Sequence, residues 1–208
     1  MEIHAPDHPI ASWKDTVKHL AIITAGVLIA LALEGVVAWA DHRLLVREAK
    51  ANLTAEIRGN KKELEGLFAN LARLQKEYDA ADDAAQTLAE KGKLDKVELA
   101  LNWHFAELKN AAVTTGEITG AFGFMDYAEV RRFADAYDLQ AQFLRLQERQ
   151  GQEFEPIFGF LGRIGGAKAP SPAAIEEWRS HISNARAGLL FQEQMGRALV
   201  KRYDELLK

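Results

Sequence analysis

The chain has 208 residues, a formal charge of −4 and no cysteine. That length allows an anchor plus one soluble domain; the missing cysteines exclude disulfides, cysteine-ligated zinc and thiol catalysis; and the charge lacks the basic excess of a nucleic-acid binder. Five prolines and 48% hydrophobic residues, with no run of alternating Val, Ile and Thr, predict an all-α chain with almost no sheet.

Residues 1–19 read as an N-terminal tail. Its stretch HAPDH places the metal-capable side chains His4, Asp7 and His8 close together. Pro6 and Pro9 hold this stretch extended and no fourth ligand is evident, so the spacing falls short of a metal site.

Leu20 to Ala40 is apolar apart from Glu34. At about 1.5 Å per residue this segment covers roughly 30 Å, the hydrocarbon thickness of a bilayer. Trp13 and Trp39 lie beyond or at its ends, where indole rings favour the headgroup layer. A cleaved signal peptide would have a shorter apolar region and a small-residue cleavage site. Residues 20–40 therefore predict an uncleaved transmembrane helix.

Glu34 precedes Ala40 by six residues, about 9 Å along a helix. Either it is an acid tolerated near the membrane surface, or it faces a partner. Gly26, Ala30 and Glu34 recur every four residues on one stripe, and a small-xxx-small pair lets two helix backbones approach closely. The stripe is a candidate helix–helix contact, with Glu34 hydrogen-bonding across it. Arg43, Arg47, Lys50 and Arg58 come after the span, whereas only Lys14 and Lys18 precede it. The positive-inside rule then favours a cytoplasmic C-terminal domain, while a short anchor before a long C-terminal domain is also a common way to place a domain outside.

From Val46 to Leu88 apolar residues recur at alternating spacings of three and four. One seam holds Val46, Leu53, Asn60, Leu67, Leu74, Ala81 and Leu88; the other holds Lys50, Ile57, Leu64, Leu71, Tyr78 and Ala85. This predicts a long helix that continues from the membrane and packs along a narrow seam. Asn60 within that seam either fixes register or reaches solvent. Gly92 can end this helix and Asp95 can cap the next, which is expected over Lys96 to Ala112. Thr114 to Phe124 is expected to break it.

A third helix is expected from Asp126 to Leu161, with Val130, Phe133, Ala134, Tyr137, Ala141, Leu144 and Phe154 facing a core. Pro156 would kink it or end it early. A fourth is expected from Ala173 to Leu207, presenting Ile175, Trp178, Ile182, Ala185, Leu189, Leu199, Tyr203 and Leu206. Lengths leave two paths open. Helices two and three run back together along helix one and bring FEPIFGFLGRIGG towards the bilayer, or the chain reverses at Thr114 to Phe124 as a four-helix bundle.

No G-x-S-x-G, H-E-x-x-H or phosphate-loop motif occurs, and no Glu-x-x-His of a di-iron bundle. His104 and His181 stand without a catalytic constellation, so no catalytic residue, metal ligand or cofactor site is expected. The least ordinary stretch is the apolar loop with Ile118, Phe122, Phe124, Met125 and Tyr127. It either packs into the bundle or forms a pocket or partner site.

The stretches HAPDHPIASWKD, GVLIALALEG, DHRLLVREAKANLTAEI and TGAFGFMDYAEVRRFADAYDLQ resemble a group of bacterial single-pass inner-membrane proteins, in which an ILIAL-type anchor precedes a long helical domain. The resemblance covers about the first 60 residues and Thr119 to Gln140. It implies a bacterial inner-membrane protein and carries no activity or catalytic residue across.

The expected architecture is all-α: a tail (1–19), a transmembrane helix (20–40) continuing into a long helix, and an antiparallel helical bundle or coiled-coil-like domain (41–208). The expected function is non-catalytic: a membrane-anchored assembly protein, acting as a homo-oligomer or as an accessory subunit of a membrane complex. Its partners would be the lipid bilayer and other membrane subunits, not nucleic acid. A membrane-anchored ligand-sensing bundle is the alternative, supported by the apolar loop.

Overall fold

The structure, a computed structural model, describes residues 13–94, 105–164 and 170–208. They form α1 (Trp13–Lys91), α2 (Ala111–Ile118), a short 3-10 helix (Ala121–Phe124), α3 (Tyr127–Ile164) and α4 (Pro172–Leu206), with no strand among the described residues. The chain divides into two compact units, residues 1–48 and 49–208.

The described part of the first unit is the beginning of α1. Every residue from Leu20 to Ala40 is exposed. This is the one stretch among the described residues that is long and apolar enough to cross a membrane. At its end the Arg43 guanidinium lies 4.8 Å over the Trp39 ring, a cation–π contact between two side chains suited to a headgroup layer.

In the second unit the 3–4 pattern of α1 becomes a continuous buried face. Leu53, Ile57, Asn60, Leu64, Leu67, Leu71, Leu74, Tyr78, Ala81, Ala85 and Leu88 are all buried. Gly92 then takes the left-handed conformation (φ 69°) and donates its N–H to the Leu88 carbonyl at 2.9 Å, a glycine stop of the kind expected.

The chain between α1 and α3 departs from the expected second helix. Residues 95–104, including Asp95, Val97, Leu101 and His104, lie outside the described residues, as do His4, Asp7 and His8. Residues 105–110 are not helical, whereas Thr114 to Ile118, expected as a break, belong to α2. The reason is non-local: distant side chains take the backbone groups of the first stretch and cap the second. Beyond α2, Gly120 turns left-handed (φ 71°). Asp126 then caps α3 by accepting the Glu129 N–H at 3.1 Å. Pro156 does not end α3, which continues to Ile164. Ser171 caps α4, accepting the Ala174 N–H at 3.2 Å, with Pro172 in the first turn.

Side-chain pairs set the directions. Lys50 meets Glu129, Asn60 meets Gln140 and the Tyr78 ring lies 6.1 Å from Phe154, so α1 and α3 run the same way. Lys61 pairs with Asp204, Asp79 with Arg186 and Asp82 with Arg179, so α4 runs opposite to α1. The return towards the start of the unit is made before α3, by the stretch that places Lys109 beside Asn60 and Ala112 beside Glu56. Both expected paths therefore need correction: α3 does not travel back along α1, and the reversal near Thr114 to Phe124 joins a short α2 rather than a full-length helix. Phe154 packs at Tyr78, far along α1 from Lys50.

The core is one cluster in which Leu64, Leu67, Phe143, Ile157, Ile182 and Leu199 are almost wholly buried. Phe160 stacks on Trp178 with ring centroids 4.6 Å apart. Since α3 and α4 occupy the seam of α1 within the chain, that seam is not free for a coiled-coil partner.

Candidate functional site

A row of carboxamides runs through the apolar core. Asn60 is 1% exposed, and Gln140, Gln147 and Gln192 are also buried. Asn60 donates to the Lys109 carbonyl at 2.7 Å and accepts the Lys109 N–H at 2.8 Å. Gln147 treats Ala106 alike, accepting its N–H at 3.0 Å and donating to its carbonyl at 3.1 Å. Two side-chain amides thus each pair with both backbone groups of a residue in a non-helical segment. Gln140 joins them: its oxygen accepts from Asn60 (3.0 Å) and from the Tyr203 hydroxyl, and its nitrogen donates to Lys109 (2.9 Å). Gln192 donates to Gln147 at 3.2 Å.

Glu56 extends this row. Its carboxylate accepts the Tyr137 hydroxyl at 2.6 Å and the Ala112 N–H at 2.9 Å. Asn110, at the start of α2, makes no side-chain cap, so a carboxylate from α1 caps that helix from outside. Burial, reinforced by hydrogen bonding to Glu56, pushes the Tyr137 phenol well above its usual range. Burial does the same to Tyr203 and Tyr78. These phenols are neutral, and carboxamides neither trade protons nor attack substrates near neutral pH. The arrangement fixes geometry and specifies one way of packing the helices.

The apolar loop separates into inward and outward groups. Phe122 and Met125 are half-buried against the core, and the Phe122 ring fills the space where a Gly116 Cβ would stand, with atoms 2.6 Å from that point. Ile118, Phe124 and Tyr127 instead face outward, at 81%, 51% and 80% exposure.

Gly26, Ala30 and Glu34 are all exposed on α1, and nothing lies within 4 Å of the position of a Gly26 Cβ. A groove of about 730 Å³ lies between α3 and α4, lined by Leu139, Leu146, Gln150, Gly188, Phe191 and Met195 among others. On the same pair of helices His181 Nδ1 lies 2.9 Å from Glu153. No group of three or more metal-capable side chains occurs among the described residues.

Of the carboxamide row, only Asn60 was singled out in the sequence. The signal for the rest is present: Phe133, Gln140, Gln147 and Phe154 are each seven residues apart, as are Trp178, Ala185, Gln192 and Leu199. Of the expected core face of α3, Phe133, Tyr137 and Phe154 are buried, but Ala134 is exposed and Ala141 and Leu144 are half-buried, while Ala136, Gln140, Phe143 and Gln147, passed over in the sequence, are buried. The chain matches no protein-family model, and no curated protein or solved structure is significantly similar to it.

Proposed function

We propose that this chain is a bacterial inner-membrane protein, held by a single span, whose helical domain serves assembly rather than catalysis. It acts as a homo-oligomer or as an accessory subunit of a membrane complex. The observation that carries this reading is the uncovered helix from Leu20 to Ala40, exposed at every residue. So large an apolar surface needs lipid or other helices around it. The Gly26, Ala30 and Glu34 stripe, exposed on that helix, is the surface we assign to association within the membrane.

Fractionation tests the anchor: the intact chain should stay in the membrane pellet through high salt and alkaline carbonate, and release by salt alone would refute the span. Crosslinking in native membranes, followed by detergent extraction and mass spectrometry, distinguishes a self-partner from other subunits. The ligand-sensing bundle is the second reading, favoured by the groove between α3 and α4. An ordered small molecule recovered with the purified domain would support it.

A further inference from the structure

We propose that the corner between α2 and α3, with Ile118, Phe124 and Tyr127 at its surface, docks onto the headgroup layer of the bilayer that holds the anchor. This inference rests on the anchor reading and adds a second membrane contact to it.

Ile118 to Met125 reads ITGAFGFM, eight residues without a charge. Exposed turns are ordinarily polar because water must satisfy their backbone. Here part of the backbone satisfies itself. The Thr119 and Gly120 N–H groups donate to Thr115 and Glu117, and those of Gly123 and Met125 donate to Gly120 and Phe122. The Thr119 hydroxyl donates to the Thr115 carbonyl at 2.8 Å. Each donor paired in this way loses little when it leaves water, whereas an unpaired one would cost several kcal/mol. The corner's outward side chains suit that layer too: Ile118 and Phe124 are apolar, and Tyr127 combines an apolar ring with a polar tip.

The covalent connection limits how far the corner can lie from the membrane. Glu129 pairs with Lys50 and Ala112 hydrogen-bonds Glu56, so the corner is pinned to the stretch of α1 where the chain enters the second unit. Lys50 follows Ala40 by ten residues, a reach of at most about 35 Å even when fully extended. A surface on so short a tether meets the bilayer at high effective concentration. Modest apolar burial then suffices, because the span has already met the cost of association.

The absence of native cysteine allows single labelling sites. The full chain would carry a polarity-sensitive fluorophore at Ile118→Cys, Tyr127→Cys, Leu31→Cys or Glu90→Cys, reconstituted in phosphatidylcholine vesicles with spin-labelled lipid. The inference expects a blue shift and lipid quenching at positions 118 and 127, quenching at 31, and neither effect at 90. Quenching at 31 with none at 118 and 127 overturns the docking and leaves the anchor standing. No quenching at 31 overturns the anchor, and the docking with it. A blue shift at 118 and 127 without lipid quenching puts a protein on this corner, a second copy or another subunit, and overturns the docking as well.

Discussion

The side chain of Asn60 satisfies both backbone polar groups of Lys109, 49 residues away, at 2.7 and 2.8 Å. One carboxamide in the apolar seam of α1 thereby decides where the chain lies after it leaves that helix. The pairing is non-local, and it explains why an apolar stripe carries an amide at almost zero exposure.

Replacing Asn60 by Leu keeps the side-chain volume close but strands the Lys109 N–H and leaves Gln140 short of a donor. Each orphaned buried group costs about 1–3 kcal/mol, so Asn60→Leu should destabilise the solubilised chain by about 2–4 kcal/mol in denaturant titrations. Gln140→Leu should cost a similar amount, and the double variant should cost less than the sum because both act in one network. Strict additivity would show that the two amides act independently.

Two glycines give different expectations for one added methyl group. A Cβ on Gly188 would meet the Gln150 amide at 1.9 Å, whereas one on Gly59 meets nothing within 4 Å. Gly188→Ala should therefore forfeit the usual helix-propensity gain, because the end of the Gln150 side chain has to move, and Gln150→Ala introduced alongside it should restore that gain by clearing the space. Gly59→Ala should stabilise by about 0.5–1 kcal/mol through helix propensity alone. Paired melts of the variants in one detergent check all three.

Much of the helical organisation was legible, because burial follows a local repeat. The seam of α1 from Leu53 to Leu88 and the apolar face of α4 from Ile175 to Tyr203 fall where the 3–4 spacing places them. What stayed hidden depends on distant partners. Residues 105–110 are held by Asn60 and Gln147, and α2 is capped by Glu56, so nothing inside those segments marks their conformation. The glutamines of α3 stayed outside the expected core because an amide on an apolar face makes sense only once its partner is known. The same dependence hid the two sides of the Thr114 to Tyr127 loop: Phe122 turns inward because Gly116 leaves room for its ring.

Alkali should weaken the fold. Tyr78, Tyr137 and Tyr203 have phenols that burial raises above an unfolded value of 10.0. The folded state therefore keeps these protons where the unfolded chain has lost them, so stability falls as pH climbs. Their contribution is complete below about pH 10 and is lost progressively above it, towards the folded values. Denaturant midpoints should decline from about pH 10 upwards, and Tyr137→Phe should flatten part of that decline. Midpoints that hold steady over that range would show that the phenols ionise without unfolding.

Within the span, Gly26→Ile tests whether the Gly26, Ala30 and Glu34 stripe is an interface. Nothing in the chain approaches a Gly26 Cβ within 4 Å, so added bulk there clashes with nothing in the monomer and any lost association reports on a partner. Gly26→Ile should abolish specific association, because bulk at a small-xxx-small site separates the backbones. Ala32→Ile, on another face of the same exposed helix, is the control. Glu34→Leu should act more mildly. An interhelical hydrogen bond in a membrane contributes only about 0.6 kcal/mol on average, and removing an acid lowers the insertion cost by up to a few kcal/mol. Insertion should hold or improve while association weakens. Sedimentation of the solubilised chain, paired with a membrane-insertion assay, reads both effects. Equal association in Gly26→Ile and Ala32→Ile would mean the stripe touches lipid only, with Glu34 an acid tolerated near the membrane surface.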